Sequence, residues 1–329
     1  MKKISFIVPV YNTFDYLEKC LNSLLNQKKV NFKYEIVIVN DGSPDNSEEI
    51  ILKFKNKYPD IIKYVKKENG GSSSARNEGL KVAEGEYVLF IDSDDYVESN
   101  LLEMFEKNIS DCDLLVFGFN EVYEKKVLKY VFGSDCKLDS NECYKLMFEE
   151  NSIKGYVWNK IFKRDIIVKN KMVFDEKIKY IEDLPFVIEY LSKCKSVVII
   201  NSALYNYVQR DNSLIHSTFN TNKLSSLISF EKMIKLLKEK NEDALAIVYY
   251  NYYETCYELS VRIRKSDKFV NYKKEYKFLR NEMNKTLKKF IFKNIKLKYK
   301  IKSIIKFLLY DVIFLVKHKV VKWKERREV

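Results

Sequence analysis

The chain has 329 residues, a length that fits one large domain or two and excludes a small disulfide-stapled module. Apolar residues make up 46% of the sequence and aromatic residues 14%, enough for a sizeable core, so disorder is not expected. The two histidines, His216 and His318, exclude a histidine-rich metal site and disfavour a Ser–His catalytic triad.

The net charge of +13 is unevenly distributed. Residues 262–329 contain 23 Lys or Arg and 6 Asp or Glu, a net charge of +17, whereas residues 1–261 have a net charge of −4. We therefore expect the last fifth of the chain to bind an anionic partner, either a membrane surface or nucleic acid.

Compartment is indicated by the cysteines and the apolar runs. Six scattered cysteines without a CxxC pair indicate reduced thiols in the core. The apolar run 4–10 contains Pro9 and no small-residue cleavage site follows it, so it is not interpreted as a signal peptide. The run 303–316 contains Lys306 and Asp311 and is shorter than the roughly 20 residues that span a bilayer. We expect a cytoplasmic chain.

Apolar runs alternate with helical patterns through the first 120 residues. Residues 4–8 predict a buried strand, and residues 17–25 predict a helix with one apolar stripe. The following patterns predict, in order, a strand at 34–39, a helix at 50–58, a strand at 61–65, a helix at 75–83, a strand at 87–91, a helix at 101–105 and a strand at 114–117. This alternation predicts a mostly parallel sheet with helices on both faces.

Two strand ends carry carboxylates. Asp41 follows the second strand, and Asp92-Ser93-Asp94-Asp95 follows the fourth. Because ligands of open α/β sheets bind outside the carboxyl ends of the strands, these side chains can face one crevice. Mg²⁺ or Mn²⁺ bridging to a diphosphate would relieve the repulsion among three crowded carboxylates. The alternative is a solvated acidic turn.

Three further positions can act on a ligand. Asp41, before Gly42, can accept a hydrogen bond from a ligand base or belong to an ordinary turn. Arg76, near a helix N-terminus, can bind phosphate or form a structural ion pair. Glu182 and Asp183 precede a helix, where a carboxylate can be the general base for a hydroxyl nucleophile or the helix N-cap.

In this order, the motifs resemble glycosyltransferase family 2, which has the GT-A fold. Over roughly residues 1–125 the resemblance rests on Ile7-Val8-Pro9-Val10-Tyr11-Asn12, Asn40-Asp41-Gly42-Ser43, Gly70-Gly71 with Ala75-Arg76-Asn77, Gly85-Glu86-Tyr87 and the DXD-like Asp92-Ser93-Asp94-Asp95. A second group resembles the bacterial polysaccharide-synthesis branch and consists of Trp158-Asn159-Lys160-Ile161-Phe162, Glu182-Asp183, and Tyr205-Asn206-Tyr207 with Arg210 and Ser213. No match is seen after about residue 220.

The resemblance implies a GT-A, Rossmann-like catalytic domain at residues 1–217. Its nucleotide-binding half would be residues 1–112, and its acceptor half residues 113–217. Long helical patterns dominate from about residue 220, so we expect residues 218–329 to form a helical, basic C-terminal region.

The resemblance also implies a nucleotide-sugar donor, most often a UDP-sugar. Matched by position, Pro9 and Tyr11 would line the base, and Asp41 would accept its imide N–H. Asp92 would lie near the ribose or the metal. Asp94 would be the principal ligand of Mn²⁺ or Mg²⁺.

The remaining matched residues would contact the phosphates, the metal or the acceptor. Arg76 would neutralise phosphate or brace the acidic cluster, and Asp95 would support the metal site or share the metal. Asp183 would deprotonate the acceptor hydroxyl, with Glu182 beside it. Direct attack would invert the anomeric carbon while the metal stabilises the departing diphosphate.

The expected acceptor is a growing, lipid-linked cell-surface polysaccharide such as a capsule. The basic C-terminal region would then attach the chain peripherally to the inner face of the cell membrane. Residues 303–316 do not form a clean amphipathic pattern, because Lys306 and Asp311 lie about 140° apart at helical spacing, so packing of this run against the catalytic domain or a partner subunit stays an alternative.

The oligomeric state, donor sugar and linkage stay open. The alternatives are a metal-dependent nucleotidyltransferase, a polyol-phosphate transferase as in teichoic-acid synthesis, and a nucleic-acid-binding protein. Nucleic acid is disfavoured, because it leaves the ordered acidic motifs unexplained.

Overall fold

The computed structural model describes residues 3–110, 112–148, 153–210, 218–266 and 269–309. The chain divides into two compact units, an N-terminal unit of residues 1–214 and a C-terminal unit of residues 215–329. Ser213 and the second half of the apolar run 303–316 lie outside the described residues. All six cysteines are free thiols, and five of them are buried.

Among the described residues of the N-terminal unit, ten strands form one sheet. The strands are β1 (Lys3–Val10), β2 (Lys33–Asn40), β3 (Ile62–Lys66), β4 (Tyr87–Phe90), β5 (Tyr96–Val97), β6 (Leu114–Val122), β7 (Val127–Tyr130), β8 (Cys136–Leu138), β9 (Lys160–Lys163) and β10 (Val197–Val208). Their order is β3-β2-β1-β4-β9-β6-β10-β5, with β7 beside β6 and β8 beside β10. The five strands predicted from apolar runs are all present, as β1, β2, β3, β4 and β6.

The sheet is mostly parallel, as predicted, but it also contains antiparallel strands. β1 is parallel to β2 and β4, β2 is parallel to β3, and β6 is parallel to β10. The short β9 lies between β4 and β6 and is antiparallel to both. Its four residues begin and end with lysine, so they carry no apolar run from which the strand could be predicted.

Helices cover both faces of this sheet. They are α1 (Phe14–Leu25), α2 (Ser47–Lys57), α3 (Ser72–Val82), α4 (Leu101–Asn108), α5 (Ser140–Leu146), α6 (Arg164–Lys169) and α7 (Asp183–Leu191). On one face, Phe6 of β1 packs in a core cluster with Leu17 of α1 and Phe105 of α4. The neighbouring Ile7 points to the other face, because successive strand side chains alternate.

On that second face, α3 approaches β1 very closely. A Cβ added at Gly79 of α3 would lie 2.3 Å from Cγ2 of Ile7, so only glycine fits there. Phe90 of β4 lies beside Ile7 in the register, and its ring meets that of Phe186 of α7 at 6.0 Å. The N-termini of α3 and α7 are thereby held against the strands that carry the acidic residues.

The C-terminal unit is helical. It contains α8 (Ser225–Leu237), α9 (Glu242–Lys265) and α10 (Lys273–Phe290), with single 3₁₀ turns at Thr221–Leu224 and Phe269–Tyr272, and residues 297–309 are also helical. The side chain of Asn241 caps α9 by accepting a hydrogen bond from the backbone N of Ala244 at 2.9 Å. No helix within the described ranges is long and apolar enough to cross a membrane.

Candidate active site

Asp41 fixes the turn that leads into α3. It lies one residue beyond β2 and is buried. Its Oδ1 accepts hydrogen bonds from Lys67 Nζ at 2.7 Å and Gly70 N at 3.0 Å, and its Oδ2 accepts one from Gly71 N at 2.7 Å. Gly71 has φ +90°, a conformation that strains other residues. A carboxylate offers about four acceptor positions, so recognition of a ligand base by Asp41 stays a prediction.

The helix α3 begins at Ser72, whereas the sequence predicted a start at residue 75. Ser72 Oγ donates to Glu182 Oε1 at 2.8 Å, and Ser73 Oγ donates to the carbonyl of Ile178 at 3.5 Å. These contacts come from a segment more than 100 residues away. They stabilise Ser72 and Ser73 in the first turn of the helix, although serine generally favours loops. Local sequence patterns do not contain these contacts, so the helix start could not be predicted from them.

Arg76 joins the acidic turn to the second carboxylate pair. One guanidinium nitrogen donates to Glu182 Oε1 at 3.0 Å and to Asp183 Oδ1 at 2.9 Å, and the other donates to Asp92 Oδ1 at 3.0 Å. Burial opposes the charged form, but the carboxylates of Asp183, Asp92 and Glu182 outweigh it and raise the pKa of Arg76. The structure thus shows the bracing ion pairs, while phosphate binding by Arg76 stays a prediction.

Asp183 has the environment of a general base. It is the first residue of α7, yet its carboxylate binds Arg76 and accepts a hydrogen bond from Val157 N at 3.3 Å. These contacts count against helix capping by Asp183, and its role as a general base stays a prediction. Burial raises the pKa of Asp183 to about 7; Arg76 opposes this rise, and the charges of Glu182 and Asp92 add to it. A base with a pKa near the working pH is the most effective at accepting a proton.

Asp95 holds the acidic turn against β10. Its Oδ2 accepts a hydrogen bond from the Tyr205 hydroxyl at 2.7 Å, and its Oδ1 accepts one from Val208 N at 2.8 Å. The same Tyr205 hydroxyl accepts a hydrogen bond from Asp92 N at 3.2 Å. These contacts give Asp95 the supporting role in the turn and leave Asp92 and Asp94 as the principal candidates for a metal.

Asp94 forms an ion pair with Arg210, whose guanidinium lies 5.1 Å from the ring centroid of Tyr16. Burial and the charge of Asp92 raise the pKa of Asp94, and Arg210 opposes the rise. Asp92 and Asp94 are therefore close enough to repel. A divalent cation would relieve that repulsion more fully than a single guanidinium.

The acidic turn fits a metal that a substrate completes. Within the described residues no three acidic, cysteine or histidine side chains form a complete metal site. Mg²⁺ and related ions are commonly held by one or two carboxylates, with phosphate oxygens and water filling the remaining positions. Asp92 and Asp94 match that donor set, and binding of Mn²⁺ or Mg²⁺ there stays a prediction.

The predicted base-binding residues follow β1. Pro9 lies in β1 beside Val39, and Tyr11 is half exposed. Directly after Tyr11 the chain lines a cavity of about 380 Å³, bounded by residues 12–16 with Asp45 and Asn46. Contact of Pro9 and Tyr11 with a base stays a prediction.

Lys160 is a site residue to which the sequence assigned no role. It is fully buried, and its Nζ lies 2.8–2.9 Å from the carbonyl oxygens of Ile153, Lys154 and Tyr156 and from Asn159 Oδ1, so these four acceptors share its three N–H donors. Burial lowers the pKa of Lys160 to about 7. The loop that Lys160 binds leads directly to Val157, whose backbone N–H donates a hydrogen bond to Asp183. The signal that could have identified it is a lysine between the apolar pairs Val157-Trp158 and Ile161-Phe162.

Aromatic rings connect this loop to the acidic turn. Trp158 stacks with Tyr156 and with Tyr205, each at a centroid distance of 4.5 Å. Tyr205 also forms hydrogen bonds with Asp92 and Asp95, and Val157, between the two stacked rings in sequence, donates to Asp183. The stacked rings therefore connect the acidic turn to the loop that contacts the candidate base.

Comparison with known sequences gives the family of the chain. A sequence model described as "Glycosyl transferase family 2" matches residues 5–167. The chain is 30% identical over 244 residues to the "Putative glycosyltransferase EpsH" of Bacillus subtilis (strain 168), and the match covers 73% of the chain and 70% of that relative. The chain belongs to glycosyltransferase family 2.

The chain spans less than two thirds of the length of another relative. Identity to the "Uncharacterized glycosyltransferase EpsJ" of Bacillus subtilis (strain 168) is 34% over 221 residues, covering 64% of the chain and 62% of that relative. The family-2 match at residues 5–167 includes Asp41, Arg76, Asp92 and Asp94, whereas Asp183 lies beyond it.

A solved structure shares the fold. The crystal structure of residues 1–349 of Staphylococcus aureus TarS in complex with UDP superposes with a TM-score of 0.64, at 22% identity, and covers 87% of the chain and 89% of that fragment. A second structure of the same fragment contains UDP-GlcNAc. The likeness confirms the GT-A fold that the family resemblance implied, with a C-terminal helical extension.

Proposed function

We propose that this chain is an inverting glycosyltransferase that moves a sugar from a nucleotide-sugar, a UDP-sugar, to a hydroxyl of a cell-surface polysaccharide. The observation that carries the proposal is the position of Arg76, which contacts both Asp92 of the DXD-like turn and Asp183. One guanidinium therefore sets the distance between the candidate metal ligands and the candidate base. Direct displacement requires such a fixed spacing between leaving group and incoming hydroxyl.

In the proposed reaction, Asp183 accepts the proton of the acceptor hydroxyl as its oxygen attacks the anomeric carbon. Asp92 and Asp94 would hold Mn²⁺ or Mg²⁺, which when bound neutralises negative charge on the diphosphate. Glu182, beside Asp183, shares Arg76 and adds to the rise in the Asp183 pKa. A single displacement with one base inverts the anomeric configuration.

The proposed donor nucleotide is UDP. The TarS structures with UDP and UDP-GlcNAc support it, because those proteins have the same fold. Pro9 and Tyr11 would line the uracil, and Asp41 would accept its imide N–H at an acceptor position left by its three protein donors.

The proposed acceptor is a growing, lipid-linked glycan at the inner face of the cell membrane. The net charge of +17 over residues 262–329 supports peripheral attachment to anionic lipid. The names of the EpsH and EpsJ relatives support glycosyl transfer in general and specify no acceptor.

Calorimetric titration with UDP, GDP and CDP, with and without Mn²⁺, tests the donor site. We expect Mn²⁺-dependent binding of UDP that Asp94→Asn abolishes. Asp165→Asn is the matched control, because Asp165 is exposed and forms an i,i+4 ion pair with Lys169 on the same helix. Failure of the wild-type chain to bind any of the three nucleotides, or equal binding by Asp94→Asn, would refute the proposed site.

A further inference from the structure

The helical segment at residues 297–309 exposes its apolar residues. Relative exposure ranges from 42% to 68% for six of them, which are Leu297, Ile301, Ile304, Ile305, Leu308 and Leu309. The first five recur at intervals of 4, 3, 1 and 3 residues, which places them on one face of a helix with 3.6 residues per turn. We call these five residues the apolar stripe.

The opposite face of the segment makes the contacts within the C-terminal unit. Ser303 is fully buried, and its carbonyl accepts a hydrogen bond from the hydroxyl of Tyr253 in α9 at 2.6 Å. Lys306 forms an ion pair with Glu254 of α9.

Two aromatic rings also belong to the packed face. The ring of Tyr299 stacks on Tyr250 of α9, and Arg280 of α10 lies over the ring of Phe307, so the packed face combines polar groups with two aromatic rings. The aliphatic side chains of the stripe remain exposed, which is unusual for a surface helix of a water-soluble protein.

Lysines flank the apolar stripe. At about 100° per residue, Lys298 and Lys302 follow one edge of the stripe and Lys300 lies beyond the other edge. Lys302 is 56% exposed and also forms an ion pair with Glu254 at 3.4 Å. Long lysine side chains can lay their methylene groups along an apolar surface while the ammonium groups reach the polar headgroups. An apolar face bordered by lysine is the pattern of helices that lie in the membrane interface.

We infer that the segment 297–309 lies on an anionic lipid surface, with the apolar stripe inserted at the boundary between headgroups and acyl chains. The inference rests on the proposed peripheral location and names the surface responsible for it. Charge favours lipid over two other occupants. A second copy of the segment would bring the same lysines, and residues 310–329 contain six Lys or Arg against three Asp or Glu. Either would add positive charge beside the flanking lysines.

Vesicle flotation of the full chain tests the inference. The vesicles contain phosphatidylglycerol and phosphatidylcholine in equal parts, and phosphatidylcholine alone serves as the uncharged comparison. The stripe variant combines Ile301→Ser, Ile305→Ser and Leu308→Ser. Since these side chains are exposed, their replacement should leave the C-terminal unit folded, which far-UV circular dichroism checks.

The matched control combines Val127→Ser, Leu128→Ser and Val168→Ser, three exposed apolar residues of the N-terminal unit. We expect the wild type and this control to float with the charged vesicles. The stripe variant should partition at least about 10-fold less, because burial of apolar surface scales with the area removed from water.

Three outcomes would overturn the inference. Equal flotation of the stripe variant would mean that charge alone attaches the chain and would leave the peripheral location intact. No flotation of the wild type would overturn both. A stripe-dependent dimer in size-exclusion chromatography, without flotation, would assign the face to a second copy. UDP titration of the same samples keeps these results separate from failure of the donor site.

Discussion

Replacement of Arg76 by methionine tests the arrangement on which the proposed site depends. Methionine preserves most of the apolar stem of the side chain and removes the guanidinium. Arg76 is 5% exposed, and the carboxylates that it contacts, on Asp92, Glu182 and Asp183, are 15–29% exposed. Removing one partner of a buried ion pair costs about 3–5 kcal/mol. Because water still reaches these carboxylates in part, we expect the lower end of that range, about 3 kcal/mol.

The loss of unfolding free energy caused by Arg76→Met should increase with pH. Burial already raises the pKa of Asp183 to about 7 from its ordinary 3.8, and loss of Arg76, which opposes the rise, should raise it further. A carboxyl with a raised folded-state pKa binds its proton more tightly in the folded protein. Ionisation therefore costs stability progressively as pH rises from about 4 through the folded pKa. The difference between variant and wild type should be small near pH 5 and largest above about pH 8.

Urea unfolding followed by tryptophan fluorescence measures this effect. The chain has two tryptophans, so in a Trp323→Phe background the signal reports Trp158 in the N-terminal unit. Lys66→Met is the control, because Lys66 pairs at the surface with Glu48 at 2.7 Å and its loss should leave the unfolding midpoint unchanged. An unchanged midpoint for Arg76→Met at about pH 8.5, or an equal loss at both pH values, would refute the reasoning.

Three further changes have defined outcomes. Asp183→Asn should keep UDP binding and lower the rate of sugar transfer by about 10²–10⁴-fold. In the wild type, the rate of transfer should rise with pH through a pKa near 7, because the base must be deprotonated to accept a proton. Lys160→Met should cost about 1–3 kcal/mol in urea unfolding, since carbonyls lose their donor. It should also abolish the gain in stability between about pH 7 and 10.5 that a lysine with a lowered folded-state pKa produces. Gly79→Ala should cost about 1–3 kcal/mol in the same assay, because the new methyl group meets Ile7. Gly133→Ala, whose methyl group meets no described atom within 4 Å, should match the wild type.

Much of the sheet could be predicted from the sequence, because its central strands are buried on both faces. Continuous apolar runs at 4–8 and 34–39 correspond to Lys3–Val10 and Lys33–Asn40, which are parallel neighbours. The rule that strand ends form the ligand crevice then located Asp41 and Asp92. Both lie within two residues of a strand end, as expected.

The contacts between distant segments could not be predicted. Arg210 reaches Asp94 across more than 110 residues, and no local pattern records that pair. Lys160 is a long charged residue in a buried position, which propensity assigns to the surface. Four oxygen acceptors offset the cost of its burial, and three of them are backbone carbonyls whose positions depend on the folded loop.

The charge balance of the site supports metal dependence of donor binding. Among the described residues, two guanidinium groups serve four carboxylates, and these six groups belong to Arg76, Arg210, Asp92, Asp94, Glu182 and Asp183. Burial is the main cause of the raised pKa values of Asp94 and Asp183, and the charges of neighbouring carboxylates add to both. A nucleotide diphosphate would bring further negative charge into the crevice, and at close range such repulsion opposes binding. A divalent cation held by Asp92 and Asp94 would offset part of this negative charge, so we expect the proposed donor to bind only together with its metal.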